Sequence, residues 1–118
     1  MTMVINSLFH PYRMTLREKK PVSLEIEVKN KHNVPKLVGI ELILGNGLSL
    51  DQSGFNTVLN ERVGEMKPDD VKKFFYSVYA KPITGPGEYA VTFKVKEYYT
   101  NYHYVEKYYT KKMDLTVQ

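Results

Sequence analysis

Six of the ten tyrosines fall within twelve residues, Tyr98, Tyr99, Tyr102, Tyr104, Tyr108 and Tyr109, with Lys96, Lys107, Lys111 and Lys112 set among them. A tyrosine offers a broad apolar ring at small entropy cost and a hydroxyl at its tip, a combination that favours binding surfaces. Rings next to lysines could also stack nucleobases while the ammonium groups neutralise phosphates, or stack sugars. The candidate interaction surface is therefore Tyr98, Tyr102, Tyr104, Tyr108, Lys96 and Lys107. The competing reading is that these rings only stiffen an exposed hairpin through cross-strand pairs. Nucleic acid is disfavoured among the possible partners, because Glu97 and Glu106 lie in the same stretch and no arginine does.

Other reactive side chains form no comparable group. His10, His32 and His103 are far apart and none makes an i, i+2 or HExxH pattern with another ligand, so no metal site is expected. Asp51, Asp69 and Asp70 lack the alternating oxygens of a calcium loop and are expected to cap turns. Ser49, Ser53 or Ser77 could be combined with His103 and Asp114, but no serine sits in a nucleophile elbow and no glycine-rich phosphate loop occurs. The expectation is a protein that is not an enzyme and has no cofactor. Without cysteine, disulfides and thiolate chemistry are excluded.

The net charge of +4 hints at an acidic partner until it is divided along the chain. Residues 1–60 carry 7 basic and 5 acidic side chains and residues 61–118 carry 10 and 8, so each half is +2 with signs interleaved. Nucleic-acid arms and polybasic membrane segments concentrate charge in blocks instead. The first residues, Met1 to Asn6, lack a basic leader region, and no apolar run approaches the roughly 18 residues of a membrane span. As written, the chain is expected to be cytoplasmic and not inserted in a membrane. As a fragment of a larger surface protein it would be extracellular.

The elements that must position the tyrosines follow a period of two. Val22, Leu24, Ile26 and Val28 alternate with Ser23, Glu25, Glu27 and Lys29, which puts one face of a strand on a core. Leu37–Leu44, Val71–Ala80, Glu88–Glu97 and Met113–Val117 read the same way, and weaker strands are expected at Val4–Phe9, Met14–Leu16 and across Phe55–Met66. A helical stripe over Val58–Met66 is the lesser alternative, interrupted by Gly64. Turn residues at Lys19-Lys20-Pro21, Asn30–Pro35, Gly45-Asn46-Gly47, Lys67–Asp70 and Pro82–Gly87 separate the strands. Such spacing without long helices predicts one domain over residues 1–118, all-β, a single antiparallel β-sandwich of about seven to eight strands.

The tyrosine-rich segment, about residues 96–112, lies between the last two strands and is expected to be a long hairpin with Thr100-Asn101 near its turn. Alternation traced back from Val117 would put Lys111 and Lys107 on the core face with Met113, Tyr109 and Val105. Either a β-bulge shifts the phase between about residues 105 and 112, or this part of the hairpin extends past the core. Gly87-Glu88-Tyr89 has the form of a tyrosine corner, a ring anchored by its hydroxyl to nearby backbone.

Val22–Asn30, then Val63-Gly64-Glu65-Met66-Lys67-Pro68-Asp69-Asp70, then Gly85–Thr92 together resemble the immunoglobulin-like domains of the CARDB and related archaeal and bacterial adhesion-module type, over roughly residues 20–117. The resemblance implies that this is a seven-stranded, immunoglobulin-like β-sandwich used as an interaction or spacer module, without catalytic residues. The functional expectation is a non-enzymatic protein-interaction or structural module, contacting a protein partner or a second copy as a homodimer through an edge strand, the tyrosine hairpin, or both. The alternative is a ligand-binding domain that recognises single-stranded nucleic acid or glycan on the tyrosine and lysine face.

Overall fold

The structure, a computed structural model, describes residues 2–118. Alternating apolar residues form nine strands: β1 (Met3–His10), β2 (Arg13–Met14), β3 (Val22–Asn30), β4 (Lys36–Leu44), β5 (Leu48–Ser49), β6 (Val58–Met66), β7 (Val71–Ala80), β8 (Gly87–Tyr98) and β9 (Val105–Val117). They make two sheets, a four-stranded one in the order β1-β3-β7-β5 and a five-stranded one in the order β2-β9-β8-β4-β6. The count exceeds the expected seven to eight because Leu48-Ser49 forms a two-residue strand against Ala80 and Tyr79, too short to show a period. All pairings are antiparallel except β2 with β9, where Arg13 and Met14 lie parallel to Thr116 and Val117. Leu16 is not in a strand. It begins a single 3-10 turn, Leu16–Glu18, closed by Lys19 in the left-handed conformation at φ 53°. Val58–Met66 is a strand rather than a helix, with a bulge opposite Val38 and Gly39 that leaves Val63 unpaired.

The core is the inward half of that alternation. Val22, Leu24, Ile26 and Val28 of β3 face Val38, Ile40 and Leu42 of β4 and Val91, Phe93 and Val95 of β8, all essentially inaccessible. Phe93, the largest of the fully buried side chains, meets Phe74 of the opposite sheet at 6.2 Å between ring centres. Complete burial of a side chain of this size stabilises by about 1.5–3 kcal/mol.

Two polar devices hold the ends. Asn30, buried at the end of β3, donates through Nδ2 to the carbonyls of Met66 (2.9 Å) and Val34 (3.2 Å), while its Oδ1 accepts from the His32 N–H (2.9 Å). Its backbone also exchanges hydrogen bonds with Asp69 and Asp70, so the β3–β4 loop and the β6–β7 turn are locked together. At the other end the Tyr89 hydroxyl donates to the Gly85 carbonyl at 2.6 Å, the anchored ring of a tyrosine corner. A Cβ on Gly47, which sits at φ +104°, would come within 2.6 Å of that ring.

Asp51 and Asp70 do cap turns. The Asp51 carboxylate accepts from Ser53 Oγ (2.7 Å), from Asn56 Nδ2 (2.9 Å) and from the N–H groups of Gly54, Phe55 and Asn56, and Asp70 Oδ2 accepts from the Lys67 N–H (2.8 Å). Those hydrogen bonds, led by Ser53, hold the Asp51 carboxyl below its ordinary range.

The molecule measures 47 × 24 × 17 Å with a radius of gyration of 15.3 Å. A compact chain of this length would have about 13.5 Å. The long β8–β9 hairpin accounts for the elongation, and it is this hairpin that carries the tyrosines.

Candidate functional site

The hairpin register is unbroken from Gly87 opposite Val117 to Glu97 opposite Lys107, then slips so that Tyr98 faces Val105 and Glu106 is the extra residue. A bulge is therefore present, at the far end of the expected interval. It leaves Lys107 and Lys111 on the inward phase with Tyr109 and Met113, yet both lysines are exposed. The reason is position. β2 pairs with β9 only at Thr116 and Val117, so the remainder of β9 is an outer strand, where inward-phase charges also obstruct edge-to-edge pairing.

The even positions of β8 point away from the core and build one face. Lys96 lies opposite Tyr108, and both share the outer side of the five-stranded sheet with Tyr98. The chain turns over residues 99–104, where the Tyr99 N–H donates to the Tyr104 carbonyl (3.0 Å) and the His103 N–H to Asn101 Oδ1 (2.9 Å). This turn brings Tyr102 back onto the sheet, edge-on to Tyr98 at 4.9 Å between ring centres. The Arg62 guanidinium of β6 covers the Tyr102 ring at 4.6 Å, and Lys96 Nζ donates to Asn60 Oδ1 at 3.2 Å. Between them lies a shallow cavity of about 280 Å³ lined by Ile40, Asn60, Glu61, Arg62, Lys96 and Tyr98.

Gly39 is what lets the Tyr98 ring lie flat across β4. A Cβ there would stand 2.9 Å from Tyr98 Cε2 and 3.2 Å from the Glu61 carbonyl oxygen. Of the six candidate residues, Tyr98, Tyr102, Tyr108 and Lys96 thus meet on or beside one face. Tyr104 is at the tip, 73% exposed, and Lys107 is on the opposite side, its ammonium 5.0 Å from the Tyr109 ring centre. Arg62 and Asn60 were not among the candidates. Their strand is far from the hairpin in sequence, and only the lone glycine within apolar β4 signals a close approach of another chain segment.

Beneath the hairpin a second group comes together that sequence spacing hides. Glu97 follows Val91, Phe93 and Val95 in the inward phase and is 2% exposed. Its Oε1 lies 2.5 Å from His32 Nε2, and its Oε2 accepts from the Tyr109 hydroxyl at 3.2 Å. His32 Nε2 is also 3.3 Å from that hydroxyl. Burial, reinforced by the Glu97 charge, pushes the Tyr109 phenol above its ordinary value. The trio ties the β3–β4 loop to both arms of the hairpin. A carboxylate in the inward phase of β8 was the available signal.

Among the described residues no three histidine, aspartate or glutamate side chains converge as metal ligands, and no helix is long and apolar enough to cross a membrane. The outer face can instead stack rings and pair with anions. Around the tyrosines lie Arg62, Lys94, Lys96 and Lys112, with the carboxylates Glu41 and Glu65 on the same face and Glu61 in the cavity lining, while Glu88 and Asp114 fall at the far end of that face.

No protein-family model and no curated protein matches this chain. Solved structures do. One is native alpha-2-macroglobulin from Escherichia coli, from domain MG7 to the C-terminus, with a TM-score of 0.69 and 17% identity over 99% of this chain and 16% of that one. A FixG-related protein from Vibrio parahaemolyticus is similar over 98% of this chain and 96% of its own, with a TM-score of 0.60 and 12% identity. AvmM, described as catalysing macrocyclization in alchivemycin A biosynthesis, reaches a TM-score of 0.68 at 5% identity over 98% of this chain and 88% of its own. The chain thus spans about a sixth of the macroglobulin chain it resembles. Likeness at such identities shows the architecture, and the architecture of this chain is an all-β, immunoglobulin-like sandwich.

Proposed function

We propose that this chain is a non-enzymatic protein-interaction module of the adhesion-domain kind, and that its contact surface is the outer face of the five-stranded sheet beneath the tyrosine hairpin. The observation that carries this reading is the Arg62–Tyr102–Tyr98 stack. It fastens the hairpin tip to the sheet, beside which the rings of Tyr99, Tyr104 and Tyr108 stand exposed. Aromatic area beside arginine is the composition found at binding hot spots. The first partner to test is a second copy of the chain, since two such hairpins can pair symmetrically.

Lysine and arginine beside the rings support one second reading, a single-stranded nucleic acid or glycan stacked on Tyr98, Tyr102 and Tyr108. The readings separate with one variant, Tyr104→Ser with Tyr108→Ser. Loss of self-association with an unchanged oligonucleotide response supports the protein partner. Salt-sensitive oligonucleotide binding that the variant abolishes, in a chain whose mass stays monomeric, supports the ligand. The setting inside a longer chain, as in the macroglobulin, belongs to the same proposal.

A further inference from the structure

We propose that the end of the sandwich opposite the tyrosine hairpin holds a second site, a cleft for an amphipathic anion: a molecule with a carboxylate or phosphate head and a short apolar body. The cleft opens between the two sheets where β2 and the following 3-10 turn face the end of β7. It encloses about 430 Å³, within the range of about 300–1,000 Å³ typical of small-molecule sites. Met14 (2% exposed), Leu16 and Ala80 give it an apolar floor, and Thr15, Gln52 and Thr84 add polar groups to its walls.

Its rim is cationic. Lys19, Lys20 and Lys81 all line it, no carboxylate does, and none of the three is ion-paired among the described residues. The nearby carboxylates do not answer this charge. Asp51 is occupied by the hydrogen bonds of its own loop, and Glu18 is exposed beside the turn without lining the cleft. Three ammonium groups around one opening repel each other until an anion enters.

Two backbone features aim these lysines. Lys19 is held at φ 53° by its N–H donating to the Leu16 carbonyl (3.2 Å), a conformation costly for a residue with a side chain and often kept at ligand sites. Lys81 is fixed by its N–H on the Gly47 carbonyl (2.9 Å), and its stem runs past Gly54. An apolar floor beneath cations selects against a bare inorganic ion and against a cationic amphiphile. It selects for an anionic head with a tail.

The test is calorimetric titration of the intact chain at low salt with octanoate, octyl phosphate, acetate and octylammonium, with backbone NMR shifts to place the site. Saturable binding of octanoate or octyl phosphate, about tenfold or more tighter than acetate, with shifts at Leu16 and Ala80, is the expected result. Which of the two binds better identifies the head group. Lys19→Gln with Lys81→Gln, both surface changes, should weaken binding about tenfold or more, while Tyr104→Ser with Tyr108→Ser leaves it unchanged. Equal binding of octylammonium, undiminished binding by the glutamine variant, shifts confined to the tyrosine hairpin, or no saturable heat would each overturn the proposal. Because the cleft and the hairpin are at opposite ends, this result and that of the tyrosine face are read separately.

Discussion

The Arg62 guanidinium rests 4.6 Å from the centre of the Tyr102 ring, which joins the outer strand β6 to the tip of a hairpin whose strands pair elsewhere. A cation over an aromatic ring contributes about 0.5–1 kcal/mol at an exposed site. Arg62→Ala should therefore lower stability by about that much, and a double-mutant cycle with Tyr102→Leu should show coupling of the same order. Additive single effects in urea unfolding would mean that the stack does not hold the hairpin.

The tyrosine corner gives a paired expectation. Tyr89→Phe removes only the hydroxyl bonded to Gly85 and should cost about 0.5–1.5 kcal/mol. Gly47→Ala should cost more, about 1–3 kcal/mol, because the new Cβ meets the Tyr89 ring at 2.6 Å and the backbone sits at φ +104°. Thermal melts of the two variants that reversed this order would contradict the packing described.

The buried contact under the hairpin gives a paired expectation. His32→Ala leaves the Glu97 carboxyl without its nearest partner, His32 Nε2 at 2.5 Å, and should destabilise by about 1–3 kcal/mol. Replacing both residues, His32→Leu with Glu97→Leu, should cost less than His32→Ala alone. Denaturant midpoints in which the double variant is the weaker would show that the pair stabilises the fold in its own right.

Alkaline stability should be set by Tyr76 and Tyr109. Burial, with the Glu61 charge adding to it, raises the Tyr76 phenol well above 10, and its hydroxyl is buried without a hydrogen-bond partner among the described residues. For a raised pKa the unfolded chain gives up its proton first, so the contribution is fully present below about pH 10 and lost as pH rises toward the folded value. Stability should thus fall with pH above 10. Tyr76→Phe should flatten that slope and cost little or nothing at neutral pH, since it also removes the unpaired hydroxyl. An unchanged slope in the phenylalanine variant would contradict this assignment.

The main strands were legible because burial on one face writes a period of two, as in Val22–Val28 and Val91–Val95. So was the tyrosine corner, whose partners lie four residues apart. Leu48-Ser49 and the parallel contact of Arg13 and Met14 were not, since two residues carry no period and depend wholly on tertiary context. The inward lysines of β9 were a real signal with a different cause. They mark an outer strand, where a bulge alone had to be weighed against projection past the core. Composition singled out Tyr98, Tyr102, Tyr104, Tyr108, Lys96 and Lys107 together without separating Tyr104 at the tip and Lys107 on the other side, whereas Arg62, Asn60 and His32 reach the hairpin through pairings that only the sheet order defines.

If the tyrosine face is a contact surface, sedimentation equilibrium over a wide concentration range will show it. The wild-type chain should associate reversibly, and Tyr104→Ser with Tyr108→Ser should be monomeric under the same conditions. Both rings are largely exposed, at 73% and 55%, so the fold should change by no more than about 0.5 kcal/mol for each. A wild-type chain that stays monomeric at the highest concentration, or a serine variant that associates as before, would contradict the account.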